Sequence, residues 1–375
     1  MNFEIKVVET KQDRLKFVKS QWNFYKNDPN FVPPLVADRM KLLDTEKNPF
    51  YKHSNIKLWM AVEHGTVIGR IAAITNENHN ITHVDRVGFF GFFECINNQE
   101  VANALFDKAA EWLKSQGKDS IRGPVNPSMN DECAMLLEGF DAPPVILMPY
   151  NPKYYLDLCE NWGFKKVKDL YAYILHFEKY MSDKLKRMQG IVRERFQITI
   201  REINFKDKVQ FRKDVDTLKY IYNQAWQPNW GFVKMTDEEF DFLAEDLRQI
   251  ANPKLAYIVE VKGKPAGFHL GLPNINEALI YNKSGSLITG VWHLLTKKKK
   301  MTIQRIIVLG VLPEFQKTGV DAVMYYESGM RGAELNLRIG EASWILEDNE
   351  MMNKGLTTTM LGEVYKKYRI FEKKI

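Results

Sequence analysis

The chain has 375 residues, 45% of them apolar and 27% charged, a globular balance that excludes a largely disordered protein and fits two domains. Its 53 Lys and Arg against 47 Asp and Glu leave a net charge of +6, too diffuse for a dedicated nucleic-acid binder. Three cysteines (Cys95, Cys133, Cys159) without a C-x-x-C pair point to a reducing cytoplasm, and neither a signal-peptide core nor an apolar run long enough to cross a bilayer is present.

Alternation over Phe3–Glu9 predicts a strand, and the apolar spacing over Lys11–Lys26 predicts a helix with Thr10 as N-cap. Ile56–Glu63 and Thr66–Thr75 read as a hairpin around His64-Gly65. Val87–Cys95 reads as a strand buried on both faces, and its Phe89, Phe90, Phe92 and Phe93 as sheet core. A helix over Gln99–Gln116 ends at Gly117. Ser120–Gly123 is a short strand, and Pro124–Pro152 is a long stretch rich in Pro, Asn, Asp and Gly. A helix near Lys153–Asn161 and a strand over Val167–Phe177 close the first half. Glu178–Phe196 is charged and helix-prone, a connector. The second half then runs as strand Ile198–Asn204, helix Lys208–Trp226 and helix Thr236–Gln249, the last opened by a Thr236/Glu239 capping box. The hairpin Leu255–Val261/Pro265–Leu272 and a partly helical insertion, Asn274–Lys300, follow. Next come strand Arg305–Leu312, helix Val320–Asn336, strand Ile339–Leu346, helix Glu350–Leu361 and strand Val364–Glu372.

The halves repeat one order of elements. Gly65 and Gly69 fall on Gly263 and Gly267, Gly91 and Val101 on Gly310 and Val320, and Gly163 on Gly362. Two copies of one α/β unit account for the length.

The sharpest local feature is VLGVLPEFQKTGVDA, Val308–Ala322, a strand running through a Gly-containing turn into a helix. Backbone N–H groups at such a turn, with the positive helix end, suit a phosphate. An ordinary strand-to-helix turn would read the same way. With its order of elements, this turn resembles the Q/R-x-x-G-x-G/A turn of the GNAT superfamily of N-acetyltransferases, which holds the pyrophosphate of acetyl-CoA. Gln316, Lys317, Thr318, Gly319 and Val320 match it, and Asp321 departs from it. The SWILEDNEMMNKGL stretch, Ser343–Leu356, looks like that family's splayed fifth strand and the helix after it. The first copy has Ile96-Asn97-Asn98-Gln99-Glu100-Val101 at the turn, with no glycine and an acid before the helix.

The chain thus resembles the tandem-GNAT proteins of bacteria. The resemblance implies an α/β fold with mixed sheets. It places a degenerate GNAT-like domain at 1–177, a helical connector at 178–197 and a second GNAT-like domain with the acyl-CoA site at 198–375. It further implies transfer of an acyl group from acetyl-CoA or another acyl-CoA to an amine of a small molecule or peptide, with no metal. Leu309, Val311, Gln316, Lys317, Thr318, Gly319, Val320 and Asn349 are the implied cofactor residues. Glu347 and Glu341 are the acids nearest the expected cleft, although Glu347 also reads as a helix N-terminal charge and Asp348 as an N-cap. No tyrosine lies in Asn349–Leu361, where the family places its general acid. Asn126, Ser128, Asn130, Glu132, Asn151 and Tyr154 in or beside the long first-half segment are candidate substrate contacts, or else side chains that satisfy their own loop. Cys133, among Ala134, Met135 and Leu136, reads as packed. His79 and His83 lack the further ligands a metal needs. The lysine run Lys297–Lys300 reads as a solvated face, or as a contact to the CoA 3′-phosphate, an acidic partner or a membrane surface. Two other functions fit the fold: a ligand-binding protein that has lost the chemistry, and an aminoacyl-tRNA-dependent peptidyltransferase.

Overall fold

The computed structural model describes residues 2–375, which form two compact units. Unit 1 runs through Asp169 and takes in Ala278–Thr296 and Lys366–Ile375; unit 2 comprises Leu170–Glu277 and Lys297–Tyr365. In chain order the strands are β1 (Glu4–Val7), β2 (Ile56–Glu63), β3 (Thr66–Ile74), β4 (Val87–Cys95), β5 (Ser120–Gly123), β6 (Val125–Asn126), β7 (Glu132–Cys133), β8 (Met135–Glu138), β9 (Lys165–His176), β10 (Ile198–Glu202), β11 (Ala256–Val261), β12 (Lys264–Pro273), β13 (Ile303–Val311), β14 (Ile339–Leu346) and β15 (Glu363–Lys374).

In unit 1, β1 to β4 form an antiparallel ladder, and β4 then pairs in parallel with β5. Unit 2 repeats this with β10 to β13 antiparallel and β13 parallel to β14. Both hairpins turn on two residues with positive φ, His64 (47°) and Gly65 (80°), then Lys262 (52°) and Gly263 (73°). That is the hairpin turn whose twist matches its strands, which is why the two X-Gly pairs align in the sequence. Each sheet ends on a strand from the other half of the sequence. Lys367–Lys374 of β15 pairs with β8 and β5 in unit 1, and Leu170–His176 of β9 pairs with β14 in unit 2.

The helix Gln99–Ser115 packs Val101, Leu105, Phe106 and Leu113 into the core of unit 1, where Phe90 and Phe93 meet Phe106. Its counterpart, Val320–Glu334, buries Val320, Val323 and Met324 against Tyr257 and Val259. The capping boxes at Thr10/Asp13 and Thr236/Glu239 are formed. The first helix, expected to reach Lys26, stops at Lys19 and tightens into the 3-10 turn Ser20–Asn23. The Phe17 and Val18 carbonyls, which a longer helix would use internally, accept instead from Arg70 Nη1 at 2.6 and 3.2 Å. Among the described residues, no helix is long and apolar enough to cross a membrane.

Candidate active site

β13 and β14 pair only over Ile303–Ile306 and Ile339–Ala342. Beyond these residues the strands part. At the parting, Ile307 is an extra residue between the pairs Ile306–Gly271 and Val308–Leu270, a bulge that bends β13. Ile307, Val308, Leu309 and Val311 are half-exposed, whereas every residue of β4 in unit 1 is buried. The sheet of unit 2 is therefore open on one side of β13, at the end that carries the turn.

The turn is built from Pro313–Phe315 and Gln316–Gly319. Gln316 Nε2 donates to the Val311 carbonyl (3.2 Å) and Thr318 Oγ1 to that of Phe315 (2.6 Å). Lys317 (φ 60°) and Gly319 (φ 91°) are left-handed. Among the described residues, the N–H groups of Lys317, Thr318, Gly319 and Val320 find no protein acceptor. Together they form a row of donors at the positive end of a 15-residue helix, with exposed Lys317 beside them. This donor set fits a pyrophosphate. Asp321 is the dissenting charge: its carboxyl is pushed up by burial, with the N–H groups of Ala322 and Asp321 pulling the other way.

Gly319 has a second duty, and one detail of the sequence reading changes. A Cβ on Gly319 would sit 2.9 Å from Val192 Cγ2, so the glycine admits the helix Asp183–Phe196 as well as a positive φ, and a bulky replacement would disturb the fold. The N-cap after β14 is Asn349, not Asp348: Asn349 Oδ1 accepts from Met352 N–H at 3.1 Å, so this side chain is committed to its helix.

Glu341 and Glu347 do not come together; the span between them is about 20 Å of extended strand. Glu341 is fully buried in the paired part of β14. It accepts from Ser343 Oγ (2.9 Å) and the Tyr365 hydroxyl (3.1 Å), with Arg305 Nε at 3.9 Å. Glu347 is half-buried at the far, open end. A hydroxyl that the sequence did not place there reaches the following helix. Tyr325, on the helix Val320–Glu334, donates to Met352 Sδ at 3.8 Å and lies 3.3 Å from where a Cβ on Gly355 would be. Burial holds its phenol well above the ordinary value. On another side of β13, the Trp226 ring occupies the space a Cβ on Gly310 would need. Trp226 stacks on Tyr222 at 5.0 Å, and Tyr222 also meets Phe232 (5.6 Å) and Phe240 (5.9 Å).

In unit 1 the equivalent opening is filled by its own chain. β4 and β5 part after the Phe89–Arg122 pair, and the Val125 carbonyl lies where a Cβ on Gly91 would be. Phe92, left-handed at φ 50°, donates its N–H to Asn126 Oδ1 at 2.6 Å. The other candidate substrate residues make contacts within unit 1. Ser128 Oγ bonds Asp131 (2.6 Å) and accepts from Asn130 N–H (3.1 Å), while Glu132 takes Arg39 on both oxygens. Asn151 bonds Leu136 N–H at 2.7 Å and the Tyr154 hydroxyl donates to the Cys95 carbonyl at 2.7 Å. Where unit 2 has its donor turn, Asn98 caps the helix by accepting from Val101 N–H.

No family model matches the chain. Protein YghO of Escherichia coli K12 is 35% identical over 373 residues, covering 97% of this chain and 94% of that protein. The bacterial ceramide synthase of Caulobacter vibrioides is 31% identical over 381 residues, covering 98% of this chain and 96% of that one. The chain belongs to the family of YghO and the bacterial ceramide synthase. Among solved structures, a tandem GNAT protein from the clavulanic acid biosynthesis pathway matches all of this YghO relative and 98% of its own length, with a TM-score of 0.59 at 10% identity. A GCN5-related N-acetyltransferase from Sphaerobacter thermophilus matches 99% of it at a TM-score of 0.52. These likenesses show the fold, which is that of tandem GNAT proteins.

This YghO relative also carries a buried polar network in unit 1. Glu94 accepts from Gln21 Nε2 (2.8 Å), the Tyr25 and Tyr155 hydroxyls (2.9 and 2.8 Å) and Arg70 Nη2 (3.5 Å). Its signal in the sequence is one acid inside the apolar run Val87–Cys95 and one arginine inside β3.

The two buried histidines set a pH dependence. His269 lies fully buried on the Tyr257 ring (4.8 Å), with Nδ1 3.0 Å from the Leu255 carbonyl, and burial pushes its pKa down to about 4. His79 is likewise pushed down to about 4 by burial. Below roughly pH 6.5 the unfolded histidines take up protons that the folded ones refuse. Stability is therefore expected to fall as pH drops from about 6.5 to 4, at up to ~1.4 kcal/mol per unit for each histidine. Melting temperatures across that window check this. His269→Gln should make the slope shallower, and an unchanged slope would remove His269 from the account.

Proposed function

We propose that the chain is an acyl-CoA-dependent N-acyltransferase whose reaction takes place in unit 2, and that its acceptor is the amine of a long-chain amino alcohol. The opening between β13 and β14 at the head of the unpaired N–H row supports the acyl-CoA site. The acceptor class rests on end-to-end similarity to a protein named for making ceramide, an amide of such an amine. The aromatic group Tyr222, Trp226, Phe232 and Phe240 beside β13 suits an apolar chain. The free thiols of Cys95, Cys133 and Cys159 agree with a bacterial cytoplasm.

An acyl-CoA supplies an activated thioester: amine attack forms the C–N bond, breaks the C–S bond and leaves a thiolate. In this reading Lys317 and the N–H groups of Lys317–Val320 hold the pyrophosphate, and Gln316 and Thr318 fix the turn through Val311 and Phe315. Leu309 and Val311 line the arm of the ligand beyond the last β14 pair. Glu347, at the open end, takes the amine proton through water. Tyr325, kept protonated by burial, gives a proton to the leaving thiolate. Glu341 positions β14 through Ser343, Tyr365 and Arg305. Unit 1 takes no part in the chemistry, its own opening being closed by Val125 and Asn126.

The test incubates the purified chain with palmitoyl-CoA and sphinganine, reading free thiol and the amide mass. Thiol release that requires both substrates, with the matching amide, is the expected result. Thermal unfolding with CoA isolates the binding step. At a hundredfold excess over Kd a ligand of the native state adds about 2.7 kcal/mol. Lys317→Glu, a change on an exposed side chain, should abolish most of that gain without altering the apo melting temperature. A CoA shift without thiol release for any amine would make the chain a binding protein. No shift at all would defeat the site.

A further inference from the structure

The helix Leu287–Lys297 is turned inside out for a segment of a globular unit. Its outward side carries Leu287, Ile288, Val291, Trp292 and Leu295, spaced i, i+1, i+4, i+5 and i+8 along a single face. Ile288 is 83% exposed, Leu295 75% and Trp292 59%. The side facing the protein is instead the narrow one: Gly290 is buried, and a Cβ there would lie 2.8 Å from Leu35. This orientation is fixed by polar contacts within unit 1. Thr289 Oγ1 donates to Asn282 Oδ1 (2.6 Å) and Asn282 Nδ2 to the Ser286 carbonyl (2.9 Å). Trp22 Nε1 donates to the Lys283 carbonyl (2.7 Å) and Val36 N–H to that of Gly285 (2.9 Å). The apolar face is thus held outward by the fold.

The chemistry next to that face says what covers it. The helix runs directly into Lys298–Lys300, a short turn whose three lysines are all exposed. At 11 residues the helix is about 16 Å long, too short to span a bilayer but suited to lying in its interface. Apolar side chains with a tryptophan, flanked by lysines, are the composition that sinks into the headgroup region while the cations meet anionic lipid.

We propose that Leu287–Lys300 docks this protein onto the surface of a bilayer containing anionic phospholipid, with Ile288, Trp292 and Leu295 entering the interface and Lys298–Lys300 contacting the headgroups. The proposal is independent of the acyl-transfer reading, because membrane binding is measured without substrate.

The full chain is sedimented with phosphatidylcholine vesicles, with and without phosphatidylglycerol. Wild type should pellet with the anionic vesicles, less so as salt is raised. The combined variant Ile288→Glu, Trp292→Glu, Leu295→Glu should lose about tenfold or more in vesicle affinity. Its melting temperature should stay unchanged, since these side chains are exposed. Lys298→Glu, Lys299→Glu, Lys300→Glu together should remove the preference for anionic vesicles. Wild type left in the supernatant with both vesicle types overturns the proposal, as does glutamate-variant binding equal to wild type. A wild-type dimer that ignores vesicles and becomes a monomer on glutamate substitution would assign the face to a second copy instead.

Discussion

Arg70→Met should destabilise the protein by about 3–5 kcal/mol, the usual cost of stranding one member of a buried ion pair. Glu94 and Arg70 are both nearly inaccessible. Burial pushes the Glu94 carboxyl up and the Arg70 guanidinium down, while the attraction between the two acts the other way on each. Arg70 also closes the first helix through the Phe17 and Val18 carbonyls, and methionine would leave both without that donor. Glu94→Gln should cost less, because an amide oxygen still accepts from the Tyr25 and Tyr155 hydroxyls. The double variant Arg70→Met, Glu94→Leu should recover part of the single-variant loss. Chemical unfolding of the four proteins measures the coupling; an Arg70→Met penalty below about 1 kcal/mol would show that the pair is not what holds this network.

Tyr325→Phe should lower turnover by about a hundredfold, the lower end of what a positioned general acid contributes. Its ring is packed in the core of unit 2 with Ala322, Leu356 and Met360, and phenylalanine keeps that packing. The hydroxyl gives up only a weak bond to Met352 Sδ, so melting temperature and the CoA-induced shift should stay as in wild type. Loss of rate at unchanged binding is the signature of a group that acts on the leaving thiolate. Wild-type turnover in Tyr325→Phe would remove the hydroxyl from the mechanism and leave solvent to protonate CoA.

What the sequence disclosed follows from the range of each interaction. The two hairpins, the Thr10 N-cap, the Thr236/Glu239 capping box and the turn at Gln316–Val320 are made of residues a few positions apart, so their chemistry is written locally. The repeat was legible for the same reason, since each copy carries the same local signals in the same order. Glu94 and Arg70 are separated by 24 positions, and only pairing in the folded sheet turns two isolated charges into one network. Asn126 reads as a polar loop residue until Phe92 is seen to donate to it across 34 positions. Asn349–Leu361 contains no tyrosine, but the fold brings the Tyr325 hydroxyl against Met352 from another helix. Val192 over Gly319 belongs to the same class. The insertion after β12 was legible as helical, whereas the direction its apolar face points was not, because that depends on Leu35 and Trp22.

The exchange of β9 and β15 also dictates a timetable. On the ribosome, residues up to Asp169 emerge with nearly all of the unit 1 core, yet the place beside β5 and β8 stays vacant for almost two hundred further residues. Through that interval the edges of β5 and β8 expose unpaired backbone groups able to join foreign strands. Unit 2 faces no such wait, since its β9 segment is made before the rest of it. The second-made half of the polypeptide can therefore be complete first, and the first-made half is sealed by a segment translated after all of unit 2.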